Sequence, residues 1–235
     1  MIVTLNEVQR ACQKAMIGAG APAGHDDDAA SAAVWLESSG ISALPAYAAA
    51  LEGWDGDLLA AEVRENAPGV FQAGGRSAVF VGPHLIDLAV ARARQAETAT
   101  LRVAALRDPA FLVPWALDYW EGELAFAMAW DGRAATTHTT AGVTLHGDWE
   151  TRPQGPCDVV LECRPSWRDS HLDIALPVTH GHKELEARYR KVLASGLQVE
   201  DAVWRTIGRY AHRALVPASA ESRARGAGST ASDNE

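Results

Sequence analysis

The stretch "ELAFAMAWDGRAATTHTT", residues 123–140, decides the fold class. In it Leu124, Phe126, Met128 and Trp130 alternate with Ala125, Ala127 and Ala129, the period of two that a strand imposes. Bulky side chains fill a core on one face, and the alanines on the other predict a closely packed helix. Asp131-Gly132 follows, a pair that tolerates positive φ and favours a type I′ hairpin. The return strand "RAATTHTT" is β-branched but polar, which predicts a place near a sheet edge.

Working outward, "GVTLHG" (142–147), "CDVVLEC" (157–163) and "HLDIAL" (171–176) extend the sheet with antiparallel-style alternation. Two helices follow, over 183–195 and 200–215. The first carries Glu184/Arg188 and Glu186/Arg190 at i, i+4. Upstream, "SAVFV" (77–81) reads as a strand, with a helix opening at Gly82-Pro83 and running to 95. "TLRVAALR" (100–107) reads as a second strand and 109–121 as another helix. At the N-terminus, Thr4 and Glu7 form a capping box before a helix over 4–19. A second helix over 26–39 opens on Asp26, Asp27 and Asp28, and a third spans 45–51. These elements predict an α+β fold with N-terminal helices, a mixed, mostly antiparallel sheet and two C-terminal helices. Residues 1–217 form a single domain, with 1–60 as a helical entry segment. The tail, 218–235, is expected to dock through 217–228 and to fray from Ser229 onward.

Composition narrows the function. The chain has 235 residues and a net charge of −9, with 30 acidic residues against 21 basic ones. That balance argues against nucleic acid, which needs clustered cations. No stretch approaches the roughly 18 apolar residues of a membrane span, and "MIVTLNEVQR" lacks the pattern of a signal peptide. Three cysteines fit a reducing, cytoplasmic compartment. Cys157 and Cys163 lie on one strand about 20 Å apart, too far for a disulfide, and read as structural thiols.

Several motifs yield to plainer readings. "GAGAPAG" (18–24) follows a helix and precedes three aspartates, so it reads as an interhelical turn and not a dinucleotide loop. His180 and His182, with His171 and Asp173 upstream, offer metal-ligand types. HxH lacks the weight of HExxH, and polar residues are ordinary at a helix start, so no metal is expected. His138 reads as a solvated strand residue. Arg107 and Asp108 end a strand and open a helix, where α/β proteins usually bind ligands. Arg107 is therefore the leading candidate to hold an anionic group, with Asp108 beside it. Ser222 and Arg223 in the tail form a second candidate anion contact.

The opening "TLNEVQRACQKAMIGAGAPAG" (4–24) and the closing "VPASAESRARGAG" (216–228) resemble an uncharacterised bacterial family, domain of unknown function 3726. The resemblance makes the tail part of the family's design and implies no activity. Two further stretches, "DDDAASAAVWLESSGISALPAYAAAL" (26–51) and residues 85–130, are similar to the N-terminal half of the NAD(P)-dependent malate/L-lactate dehydrogenases. That family has Ser-His-Gly where this chain has Ser39-Gly40-Ile41. It has an Asn and a His where this chain has Arg107-Asp108. The resemblance therefore implies a scaffold without the family's acid/base histidine. The expected function is the binding of a small, organic-acid-like molecule, with no cofactor. The alternatives are a divergent NAD(P)-dependent reductase of 2-oxoacids or cyclic imino acids, and an interaction subunit of a larger enzyme. The partner is a small molecule, and a homo-oligomer is left open.

Overall fold

A computed structural model of the chain describes residues 1–54, 63–119, 124–138, 142–151, 155–166, 172 and 174–215. A short strand β1 (Ile2–Val3) leads into three helices, α1 (Leu5–Ala19), α2 (His25–Ser38) and α3 (Leu44–Gly53). Thr4 caps α1 through the reciprocal bonds with Glu7, and Gly20, at φ 74°, closes it. β2 (Arg64–Ala67) and β3 (Val70–Gln72) form a small hairpin, followed by the long helix α4 (Ala78–Ala96) and β4 (Ala99–Leu106). A 3-10 turn at Pro109–Phe111 runs into α5 (Leu112–Leu117). Then come β5 (Leu124–Trp130), β6 (Arg133–His138), β7 (Gly142–Gly147), β8 (Cys157–Pro165) and β9 (Val178–Gly181). The helix α6 (His182–Ser195), the short strand β10 (Leu197–Gln198) and α7 (Asp201–Arg213) complete the described chain.

Among the described residues the main sheet has eight strands in the order β2-β3-β4-β8-β5-β6-β7-β9. Only β3 and β4 pair in parallel; the other neighbours are antiparallel. The mixed, mostly antiparallel α+β class read from the sequence is the observed one. β1 and β10 form a second, two-stranded antiparallel ribbon, tying the N-terminus to the start of α7.

The hairpin after β5 forms as its sequence dictates, with Asp131 at φ 39° and Gly132 at φ 71°. Leu124, Phe126, Met128 and Trp130 join one continuous core with α4 and the N-terminal helices. The other face departs from expectation. Ala125 and Ala127 stand opposite Arg164 and Glu162 across the β5–β8 pair. Both charged side chains are buried, and they meet at 3.2 Å. The small residues make room for an ion pair, where the alternation alone suggested a helix.

Three further expectations are corrected. Residues 78–81 are helical, not a strand. Ser77 caps α4 by accepting the Val79 N–H, and Val79, Gly82, Ile86, Ala89 and Ala93 make one buried stripe. Three β-prone residues, Val79, Phe80 and Val81, lose to that cap and to a 19-residue amphipathic pattern. The strand that precedes the crossover is β3, so the parallel unit exists but begins earlier. β6 is interior, two strands in from the edge at β9, and its alanines and Thr137 are buried. The Thr137 hydroxyl is engaged within the strand pair, its Oγ1 accepting the Phe126 N–H at 3.1 Å. Finally, residues 174–177 carry no regular structure, and the pairing strand starts at Val178. His171, Asp173, residues 120–121 of the helix read over 109–121, and the tail from 216 lie outside the described residues, as does the side chain of His138.

Candidate functional site

Because β3 and β4 are parallel, their C-terminal ends lie side by side. The two loops that leave them are bound together. Arg107 N–H donates to the Arg76 carbonyl at 2.9 Å, and Ala78 N–H donates to the Arg107 carbonyl at 2.8 Å. The Ser77 hydroxyl donates to Asp108 Oδ2 at 2.7 Å while capping α4. The end of β4 is irregular. A register shift separates Val103 from Leu106, and Ala105 and Asp108 both adopt the left-handed region at φ 54°. That region is unfavourable for an alanine by about 1–2 kcal/mol. Flanking bonds hold Ala105 there: its N–H meets Asp158 at 3.0 Å and its carbonyl accepts from Gly75 at 2.8 Å. The bulge re-aims the strand end.

Two clefts open on either side of Asp108. One is lined by Gly74, Gly75, Arg76, Ser77 and Arg107, with Trp54 and Phe80, whose rings stack at 4.1 Å. The other, open to solvent, is walled by Leu36 and Ile41, Phe111, and the pair Trp130 and Trp149. These indoles meet edge to face, centroids 5.3 Å apart. Asp108, Arg133 and Glu150 supply its charged groups, with Ser42 and Thr151 beside them. Arg133 is held by the Asp131 carbonyl and carboxylate and by the Thr151 carbonyl.

The structure thus brings Arg107 and Asp108 into one site, with Arg107 exposed. Ser222 and Arg223 lie outside the described residues. Sequence reading missed Trp130, read only as a strand residue facing the core, and Arg76 and Trp149, which lie outside the segments it assigned. The Glu184/Arg188 pair read at i, i+4 forms, and beside the second cleft it joins a wider network that the sequence did not show. His180 is buried, with Nδ1 at 2.9 Å from Glu184 and Nε2 at 3.7 Å from Glu150. Arg188 bonds Glu184 and reaches across to the Ser39 carbonyl, both at 3.0 Å. The backbone at Gly40 favours glycine. Its φ is 82°, and a Cβ would sit 2.7 Å from the Arg188 guanidinium. His182 does not join His180 over a shared ligand: its ring lies against Gly142. Among the described residues no group of three His, Cys, Asp or Glu could hold a metal ion.

The remaining titratable groups near the site serve the scaffold. Glu37 accepts the N–H groups of Ala43 and Leu44 at 2.7 and 2.6 Å, completing the N-terminus of α3. Burial nonetheless pushes its carboxyl above the ordinary carboxylate range. Cys157 and Cys163 are free, and burial pushes them to about 11 and about 12.

Residues 3–100 match the family described as a protein of unknown function (DUF3726). No curated protein matches the sequence. Among solved structures, the fold is similar to sulfolactate dehydrogenase from Methanocaldococcus jannaschii, with a TM-score of 0.61 at 8% identity over 91% of this chain and 97% of that one. It is similar to a dehydrogenase from Sinorhizobium meliloti, with a TM-score of 0.66 at 8% identity over 90% and 99%. A third likeness is to Δ1-piperideine-2-carboxylate reductase from Pseudomonas syringae, with a TM-score of 0.56 at 11% identity over 89% and 99%. No helix among the described residues is long and apolar enough to cross a membrane. The chain therefore carries the DUF3726 match in its first hundred residues, on the fold of the malate/lactate dehydrogenase-like proteins.

Proposed function

We propose that this chain binds a small organic acid in the paired clefts around Asp108, with Arg107 holding the acidic group. The supporting observation is the placement of an exposed guanidinium at the adjoining ends of two parallel strands, beside a glycine-bearing turn that opens α4. A guanidinium grips a carboxylate through two parallel hydrogen bonds. Ser222 and Arg223 are proposed as further contacts contributed by the tail. A thermal-shift screen of organic acids tests the reading. An acid present at 100 times its Kd stabilises by about 2.7 kcal/mol, which is about 5–10 °C for a chain of this size. Arg107→Ala should abolish that shift. No stabiliser among the acids, or shifts untouched by Arg107→Ala, would reject it.

The second reading, a divergent NAD(P)-dependent reductase, is favoured by the fold shared with dehydrogenases and a reductase. The residues fit it only in part. Arg76, Arg107 and the Gly74–Gly75 backbone could contact an anionic cofactor, but among the described residues no histidine lines either cleft. Reduction of a carbonyl needs a proton donor within hydrogen-bond reach. Nicotinamide cofactors that neither quench tryptophan fluorescence nor raise the melting temperature would eliminate this reading.

A further inference from the structure

α1 and α7 lie side by side and run the same way. The Met1 amine meets the Val199 carbonyl and Asp201 at one end, and at the other a Cβ on Gly18 would strike the Tyr210 carbonyl. Their outer edges leave an open groove that shares no lining residue with the clefts around Asp108. Residues 7, 11 and 14 line it from α1, and residues 204, 208, 211 and 215 from α7 and the chain just past it. Both rows step by three and four, the spacing of a helical seam, so a third helix fits between them. The floor is apolar. Trp204 and Ala211 pack on the core from outside, and Leu215 is left 53% exposed. At Gly208 a Cβ would meet nothing within 4 Å.

The rim is basic. Arg10, Lys14 and His212, all exposed, stand on it. The acid beside them, Glu7, has its carboxylate engaged by the Thr4 N–H and hydroxyl at 2.7 and 2.9 Å. Beyond Asp201, α7 carries Arg205, Arg209, His212 and Arg213 and no acid, in a chain of net charge −9. A cationic surface that runs against the overall charge selects an acidic partner. Two other occupants fit less well. A second copy docked through this face about a two-fold axis would set Arg10, Lys14 and His212 against themselves. Residues 216–235 hold no large apolar side chain beyond Val216 and Pro217, and Arg223 and Arg225 repeat the charge of the rim. We propose that the α1–α7 groove is a docking surface for an acidic amphipathic helix of another protein. Its apolar stripe rests on Trp204, Gly208 and Leu215, and its carboxylates meet Arg10, Lys14 and His212. The surface is separate from the ligand clefts, so the inference does not depend on the grip at Arg107.

The test uses the full chain and two fluorescein-labelled helical peptides with leucine at the same i, i+3, i+4 positions. One carries glutamate on its polar face, the other lysine. Fluorescence anisotropy should show saturable binding of the glutamate peptide, weakening as salt is added, although the chain is itself net negative. It should bind at least about tenfold more tightly than the lysine peptide. Arg10→Glu combined with Lys14→Glu, both on exposed positions, should weaken the glutamate peptide by about tenfold or more at an unchanged Tm. Gly208→Glu, placed in open space, should do the same by blocking the floor. In ¹⁵N-labelled chain the amide resonances of Gly208 and Ala211 should move with the glutamate peptide, and those of Arg107 and Asp108 should stay. No saturation by the glutamate peptide, equal affinities for the two peptides, or binding that ignores both variants would overturn the proposal. A dimer in sedimentation that Gly208→Glu dissolves would give the groove to a second copy and overturn it too. So would nuclear Overhauser contacts between Gly208 and residues 216–235 in the free chain, which would give the groove to the tail.

Discussion

Two glycines in helix interiors should respond to alanine with opposite signs. Gly208 lies on the exposed side of α7, with nothing within 4 Å of a built Cβ. Alanine there should stabilise by about 1 kcal/mol through helix propensity. Gly82 lies inside α4, where the same gain is available in principle. Its Cβ would stand 1.9 Å from Cζ3 of Trp115 and 2.6 Å from Cε3. Both lie far inside van der Waals contact, so the ring must leave. Trp115 is buried at 4% exposure and donates to the Asp28 carbonyl on α2. Displacing it adds overpacking of about 1–3 kcal/mol to a lost hydrogen bond of about 1 kcal/mol. The net for Gly82→Ala is a loss of about 1–3 kcal/mol, a fall of roughly 3–10 °C in Tm for a chain of this length. Gly208→Ala should raise Tm by about 2–4 °C. Calorimetry on both variants, and on Gly82→Ala combined with Trp115→Leu, gives a cycle. The double variant should cost no more than Trp115→Leu alone, because the clash vanishes with the ring. A Gly82→Ala protein as stable as Gly208→Ala would refute the packing of α4 on α5. It would also restore the reading in which the helix starts at Gly82.

Glu37→Gln should flatten one part of the pH–stability curve. Burial raises the Glu37 carboxyl in the folded state from 4.5, so the folded chain holds more protons than the unfolded one just above that pH. Wild-type stability from this group therefore falls as pH rises through the window opening at 4.5. Gln keeps an acceptor for Ala43 and Leu44 and removes the charge, so chemical denaturation should show a shallower decline; an unchanged slope would count against the burial. Deleting residues 218–235 should lower Tm measurably if the tail docks on the domain, and an identical Tm would dismiss docking.

Where local chemistry and burial agree, the elements were legible. The capping box at Thr4, the Asp131-Gly132 turn and the alternation of β5 each depend on neighbours within a few residues, and each formed as read. Residues 77–81 failed because the three β-prone side chains Val79, Phe80 and Val81 carry no information about direction of burial. Only the stripe running on through Ala93, with Ser77 as cap, decides for helix. β6 was misplaced for a related reason. Threonine satisfies its hydroxyl across the strand pair, so a polar strand can lie in the sheet interior. The short strands β1 and β10 bond residues nearly the whole chain apart and have no periodicity to detect.

The site divides along the same line. Arg107 and Asp108 could be found because a strand end beside a helix start is a local pattern. Their partners could not. Ser77 reaches Asp108 only because β3 and β4 are parallel, and the strand that makes them so was itself not read. Arg188 reaches Ser39 across 149 positions, and its guanidinium occupies the space beside Gly40. That contact is what a side chain at position 40 would meet. The sequence resemblance sets a histidine of the dehydrogenase family against Gly40; here the backbone is left-handed, the Arg188 guanidinium from α6 lies beside it, and His180 is tied to Glu184. Restoring a histidine at Gly40 alone would therefore meet both an unfavourable φ and an occupied position. Any acid/base chemistry on this scaffold must come from groups other than the one the family resemblance would place at residue 40.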